Sequence, residues 1–143
     1  MEIAKKRLSA SKQRISKLTM DEKPISPAAH GLIDYALVAS LLILPTVLGL
    51  SKAVKQLYTA QALTLLGYVA ISEHPLAVKP MIPFRVHGMI DPFNVATFAL
   101  QSLLSRFRED NKALAFNVLF TLLSGITVFL TDYDSTETEV GDL

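Results

Sequence analysis

Four long stretches of this chain, 35–51, 56–72, 92–105 and 113–131, carry no charged side chain. A helix rises about 1.5 Å per residue, so about 20 apolar residues reach across a bilayer core about 30 Å thick. With the apolar residues just upstream of the first and third stretches, helices are expected near 28–50, 55–72, 85–105 and 112–131. The fourth segment is apolar around its whole circumference, unlike the surface helix of a soluble bundle. Half of the residues are hydrophobic and 19% are charged, which leaves little amphipathic cover for four soluble helices. The fold class expected is all-α, a four-transmembrane-helix bundle in contact with the lipid bilayer.

Short connections join these segments. Gly49-Leu50-Ser51-Lys52 closes the first hairpin, 106–111 (RFREDN) closes the second, and 73–83 (EHPLAVKPMIP) lies between them with three prolines that forbid a continuous helix. Pro45 and Pro92 fall inside segments one and three. With the N-terminus in the cytoplasm, the inside holds seven basic residues of the tail together with Lys79 and Arg85. The outside holds Lys52, Lys55, Arg106, Arg108 and Lys112. That excess favours two cytoplasmic termini. Residues 1–26 form a basic tail with Ala4, Leu8, Ser11, Ile15 and Leu18 at helical spacing. It is either a helix lying on acidic headgroups or a solvated leader that sets topology. Residues 135–143 form an acidic tail. A net charge of +1 argues against a nucleic-acid partner, and the absence of Cys excludes disulfide, iron–sulfur and thiolate chemistry.

An offset of 57 residues aligns the chain with itself without a gap. His30-Gly31-Leu32-Ile33-Asp34 falls on His87-Gly88-Met89-Ile90-Asp91, Lys55 on Lys112, Leu57 on Leu114, and Thr64-Leu65-Leu66 on Thr121-Leu122-Leu123. Two helical-hairpin repeats are expected in a transmembrane domain over 27–134, about 27–79 and about 84–134. Two crossings return the chain to its starting side, so the repeats run parallel about an axis along the membrane normal. Gly31 and Gly88 are expected to let helices one and three approach closely.

In each repeat His and Asp stand four apart, one turn above the other on one helix face. His74 and Glu73, in the inter-repeat connection, fall at the same membrane side. A buried Asp in a spanning helix costs about 2.5–3.5 kcal/mol if central, so two at matching positions require a reason. One is a structural polar clasp, each Asp bonded to its own His, to Tyr35 or to a neighbouring helix end. Another is a divalent-metal site from His30, Asp34, His87 and Asp91, with His74 and Glu73 as further candidates, since imidazole and carboxylate suit zinc, manganese or iron. A third is proton or substrate handling in a small carrier. Haem between the two His is disfavoured by their terminal position and Gly neighbours. No nucleophile elbow, phosphate-binding Gly loop or His-Glu-x-x-His is present, so no catalytic residue is assigned.

The HGxIDY that opens a spanning helix, the internal Pro, the Pro-x-Arg-x-His connection and the second His-x-x-x-Asp resemble a group of small four-helix bacterial membrane proteins. That group is distantly similar to proteins with Ser-Pro-Trp membrane repeats. The resemblance covers about 27–131 and implies a bacterial inner-membrane protein with doubled hairpins. The favoured function is a non-enzymatic interaction or assembly subunit, partnered by other membrane subunits or by itself. A metal-binding protein or carrier using the His–Asp pairs is the alternative.

Overall fold

The computed structural model describes Lys5 and residues 23–135. The amphipathic helix expected of the basic tail, and all but the first residue of the acidic tail, lie outside the described residues. Within them the chain is all-α: α1 (Pro27–Val47), α2 (Lys52–Ile71), α3 (Phe84–Gln101), the single-turn α4 (Ser105–Arg108) and α5 (Asn111–Leu130). α1 packs along α2, α3 along α5, and α5 also touches α1 and α4.

Local chemistry sets the ends. Ser26, Ser51 and Asp110 cap α1, α2 and α5 with side-chain oxygens that accept from otherwise orphaned N–H groups, and Pro27 takes the first position of α1. α1 ends at Val47, and Gly49 just beyond its cap takes a φ of 71°, a left-handed conformation open to it because it has no Cβ. The Gly49 N–H bonds Thr46 O and the Leu50 N–H bonds Pro45 O, which satisfies the last carbonyls of the helix.

Helices α1 and α5 are long and apolar enough to cross a membrane. α2 starts with Lys52 and Lys55 and carries Gln56 and Gln61, and α3 carries Arg85, His87, Asp91 and Asn94, which lowers their apolarity. The third segment, expected to run to residue 105, ends at Gln101, and α4 takes up part of the expected 106–111 turn. The stretch from the α3 cap (Pro83) to the α5 cap (Asp110) is therefore two residues longer than that from Ser26 to Ser51. The first helices of the hairpins correspond at an offset of 57, but the second helices correspond at 59, Ser51 matching Asp110 and Ser72 matching Thr131. The ungapped alignment thus holds Lys55 and Lys112 two residues out of step.

Crossed ties join the hairpins. Just before α1, the Ile25 N–H bonds Leu130 O and Ile25 O accepts from Asp132 N–H, at the end of α5. Just before α3, Ile82 O accepts from Glu73 N–H and the Ile82 N–H bonds Ile71 O, at the end of α2. Each His-bearing helix thereby starts beside the C-terminus of a second helix, and in both cases that helix belongs to the other hairpin.

These ties also change the role of the two glycines. A Cβ on Gly31 would stand 2.5 Å from His74 Nδ1, and one on Gly88 would stand 2.5 Å from Tyr133 Cδ1 and Cγ. The glycines admit rings from the segments after α2 and α5, rather than the backbone of the facing helix as expected. We expect Gly31→Ala and Gly88→Ala each to destabilise by about 1–3 kcal/mol, the usual range for overpacking. Gly67→Ala in α2, where a Cβ meets open space, should be neutral or stabilising by up to about 1 kcal/mol. Thermal unfolding in detergent checks this; equal losses at all three positions would contradict it.

Candidate metal centre

The one-turn spacing in α1 and α3 sets His30 over Asp34 and His87 over Asp91, and the crossed ties bring the two pairs face to face. All four residues are buried. His30 Nε2 lies 3.2 Å from Asp34 Oδ2 and 3.3 Å from Asp91 Oδ2. His87 Nε2 lies 3.2 Å from Asp34 Oδ2 and 3.3 Å from Asp91 Oδ1. The two Nε2 atoms are 3.3 Å apart. Each imidazole therefore contacts its own Asp and that of the other helix equally closely.

Hydrogen bonds around the rings assign the protons. The hydroxyl of Thr131 donates to Thr127 O (2.6 Å) and that of Ser72 donates to Tyr68 O (2.7 Å). Each hydroxyl has one proton, so its oxygen must accept from the nearby imidazole: His30 Nδ1–H to Thr131 Oγ1 at 2.7 Å, and His87 Nδ1–H to Ser72 Oγ at 2.8 Å. With Nδ1 protonated, a neutral imidazole presents a bare lone pair at Nε2. Tyr68 lies 3.2 Å from His87 Nε2, but its proton goes to Asp91 Oδ1, and Tyr133 donates to Asp91 Oδ2 at 2.5 Å. Asp34 Oδ2 is buried without a hydrogen-bond partner, although it lies within ion-pair distance of both imidazoles. With both imidazoles neutral, the Nε2 lone pairs of His30 and His87 and the Asp34 carboxylate face one another.

His30, Asp34 and His87 form a candidate ligand set. Three donor atoms, one each from His30, Asp34 and His87, lie mutually close enough for a single ion. In a triangle with sides of 3.2–3.3 Å, a cation just off the plane reaches all three corners at about 2.0–2.1 Å, the zinc–nitrogen and zinc–oxygen range. Two imidazoles bracketing a haem iron from opposite sides would be about 4 Å apart at those bond lengths, so 3.3 Å does not suit haem. The hydrogen bonds at Nδ1 orient both ligands, as is usual around metal-binding histidines. Asp91 sits against both imidazoles and is held in place by two tyrosine hydroxyls.

Two sequence candidates stand apart from this group. His74 Nδ1 accepts from Leu76 N–H and its Nε2 bonds Val69 O, so both nitrogens serve their own loop. Burial holds its pKa below the usual value and keeps it neutral. Glu73 is exposed. Tyr35 bonds Leu76 O rather than an aspartate. The residues missed in the sequence are Tyr68, Tyr133, Ser72 and Thr131. Burial, and next the charge of Asp91, raise the Tyr133 pKa, so its hydroxyl stays protonated and donating. The only signal for the hydroxyl pair was a Ser and a Thr closing the two second helices, obscured by the two-residue shift.

A second polar group lies toward the other end of the helices. Asn117 accepts from Tyr58 OH at 3.0 Å and from Gln101, and donates to Phe98 O and Ser102 Oγ at 2.7 Å each, while Gln61 donates to Gln101 at 2.8 Å. It joins α2, α3 and α5 around a core of Leu41, Val54, Phe98, Phe107 and Phe120.

No protein-family model matches the chain, and no curated protein or solved structure matches it.

Removing the oxygen that accepts an imidazole N–H leaves a buried donor unpaired, a loss of about 1–3 kcal/mol. We expect Thr131→Val and Ser72→Ala each to lower stability by that amount, and Thr131→Ser to stay near the parent. Denaturant unfolding of the three variants reads this directly; a Thr131→Ser variant as unstable as Thr131→Val would show that the methyl, not the oxygen, matters.

Proposed function

We propose that this chain is a small integral-membrane protein, a bundle of four spanning helices in two hairpin repeats, that holds a divalent transition-metal cation between its first and third helices. The observation that carries the proposal is the convergence of His30 Nε2, His87 Nε2 and Asp34 Oδ2, with both Nδ1 atoms turned away to Thr131 and Ser72. His30, His87 and Asp34 are the ligands, and Asp91, held by Tyr68 and Tyr133, closes the group from the far side of the His–His contact. Imidazole with carboxylate suits zinc, manganese and iron, and the spacing suits zinc best. Two aspartates balance a divalent charge, so the loaded site is neutral, the inexpensive state for a site inside a bilayer.

The distribution of side chains supports the membrane part of the proposal. Polar groups lie inside, among them His30, His87, Asn117, Ser72 and Thr131, each at most 1% exposed. Large apolar side chains lie outside, with Leu32, Val47, Phe93 and Phe129 all more than 60% exposed. A water-soluble protein does not expose so much contiguous apolar surface, whereas lipid favours it. The basic residues favour cytoplasmic termini, which sets the metal centre near the cytoplasmic face.

Equilibrium loading of the purified full chain, followed by elemental analysis, tests the proposal. The expected result is about one zinc or cobalt per chain, with Asp34→Asn, His30→Ala and His87→Ala each weakening affinity by more than about 100-fold, beyond what loss of a supporting hydrogen bond does. His74→Gln should retain the metal. A polar clasp without metal predicts the reverse: lower stability in the same variants and no bound ion in the parent. That pattern would sink the proposal.

A further inference from the structure

We propose that the cation enters and leaves from one face only, through the groove at the N-terminal ends of α1 and α3, and that the ring of Phe84 is the shutter. The inference rests on the metal reading above. It starts from burial: His30 and His87 are 1% and 0% exposed, so no ion reaches their Nε2 atoms unless a covering group moves.

The covering group on one side is Phe84, the first residue of α3. Its ring centroid lies 5.5 Å from that of His30, 5.3 Å from that of His87 in a stacked arrangement, and 5.2 Å from that of Tyr133. The same ring lines a groove of about 670 Å³ together with Glu73, His74, Arg85, Tyr133 and Asp134. One aromatic ring therefore touches both imidazoles and the groove. The groove is polar at its edge, where Arg85 and Asp134 form an exposed ion pair at 2.6 Å. Phe84 stands at a helix start, preceded by Pro83, which has no side-chain cap. Rotation of that ring about its side-chain torsions leaves every backbone hydrogen bond of the helix in place.

The opposite side is narrower: there the site borders a cavity of about 30 Å³, room for one or two waters, lined by Leu37, Leu65, Asn94, Phe98, Phe120 and Ser124. Beyond that wall lie the core and the Asn117 hydrogen-bond group, which span the remaining helix length. Passage that way would need several packed side chains to part together, whereas on the groove side the cover is the ring of Phe84 with that of Tyr133 beside it. The site is therefore an acceptor and donor of cation for a single membrane face, not a conduit between faces.

Release kinetics test this. The full chain in detergent, loaded with cobalt, is mixed with excess chelator, and loss of the bound-metal absorption is followed in time. Phe84→Ala should release metal at least about tenfold faster than the parent while its equilibrium affinity changes much less, since both on and off rates rise together. Phe84→Leu, which keeps bulk, should fall between and guards against loss of fold. Leu65→Ala, on the inner wall, should release at the parent rate. Unchanged release from both Phe84 variants, or equal acceleration by Leu65→Ala, overturns the one-sided route while leaving the metal centre intact. A parent chain that binds no cobalt overturns both.

Discussion

Two imidazoles facing each other nitrogen to nitrogen at 3.3 Å, inside a ring of carboxylates, form the contact on which the rest of this structure depends. Left to themselves, such lone pairs repel. Everything adjacent is arranged to hold them so. Ser72 and Thr131 spend their own protons on carbonyls one turn back and thereby force both Nδ1 atoms to donate. Tyr68 and Tyr133 direct theirs to Asp91. The consequence is that both imidazoles turn Nε2 toward the two aspartates.

The fold is the means of reaching that geometry. Neither hairpin builds the site alone, because His30 is braced by Thr131 from the second hairpin and His87 by Ser72 from the first. The paired backbone at Ile25 and Ile82 anchors the His-bearing helices beside those hydroxyls. At the other end, Asn117 ties α5 to α2 and α3 through neutral amides, with apolar packing between the two polar groups. Charge is thus concentrated at one end and neutral hydrogen bonding at the other. That polarity agrees with a site served from one side.

Much of the helical layout was legible in the sequence, because absence of charge over a long stretch is a local signal. The His–Asp pairs were legible for the same reason, as a spacing of four on a helix needs no tertiary knowledge. What was not legible depends on contacts across the chain. The offset of 57 matched Thr64-Leu65-Leu66 to Thr121-Leu122-Leu123, yet the extra turn of α4 moves the second helices to 59 and hides the Ser72–Thr131 equivalence. Gly31 and Gly88 were visible as close-contact points, but the occupants, His74 and Tyr133, come from segments with no periodicity to read. Nothing near Tyr68 and Tyr133 in the chain announces that their hydroxyls meet Asp91.

X-ray absorption at the zinc edge of the purified, zinc-loaded chain tests the central claim most directly. The account predicts a low-coordinate first sphere at about 2.0–2.1 Å with the outer scattering pattern of two imidazole rings, reduced to one ring in His87→Ala. A six-oxygen sphere without imidazole scattering would mean that zinc sits on exposed carboxylates, and that the facing histidines of α1 and α3 hold no metal.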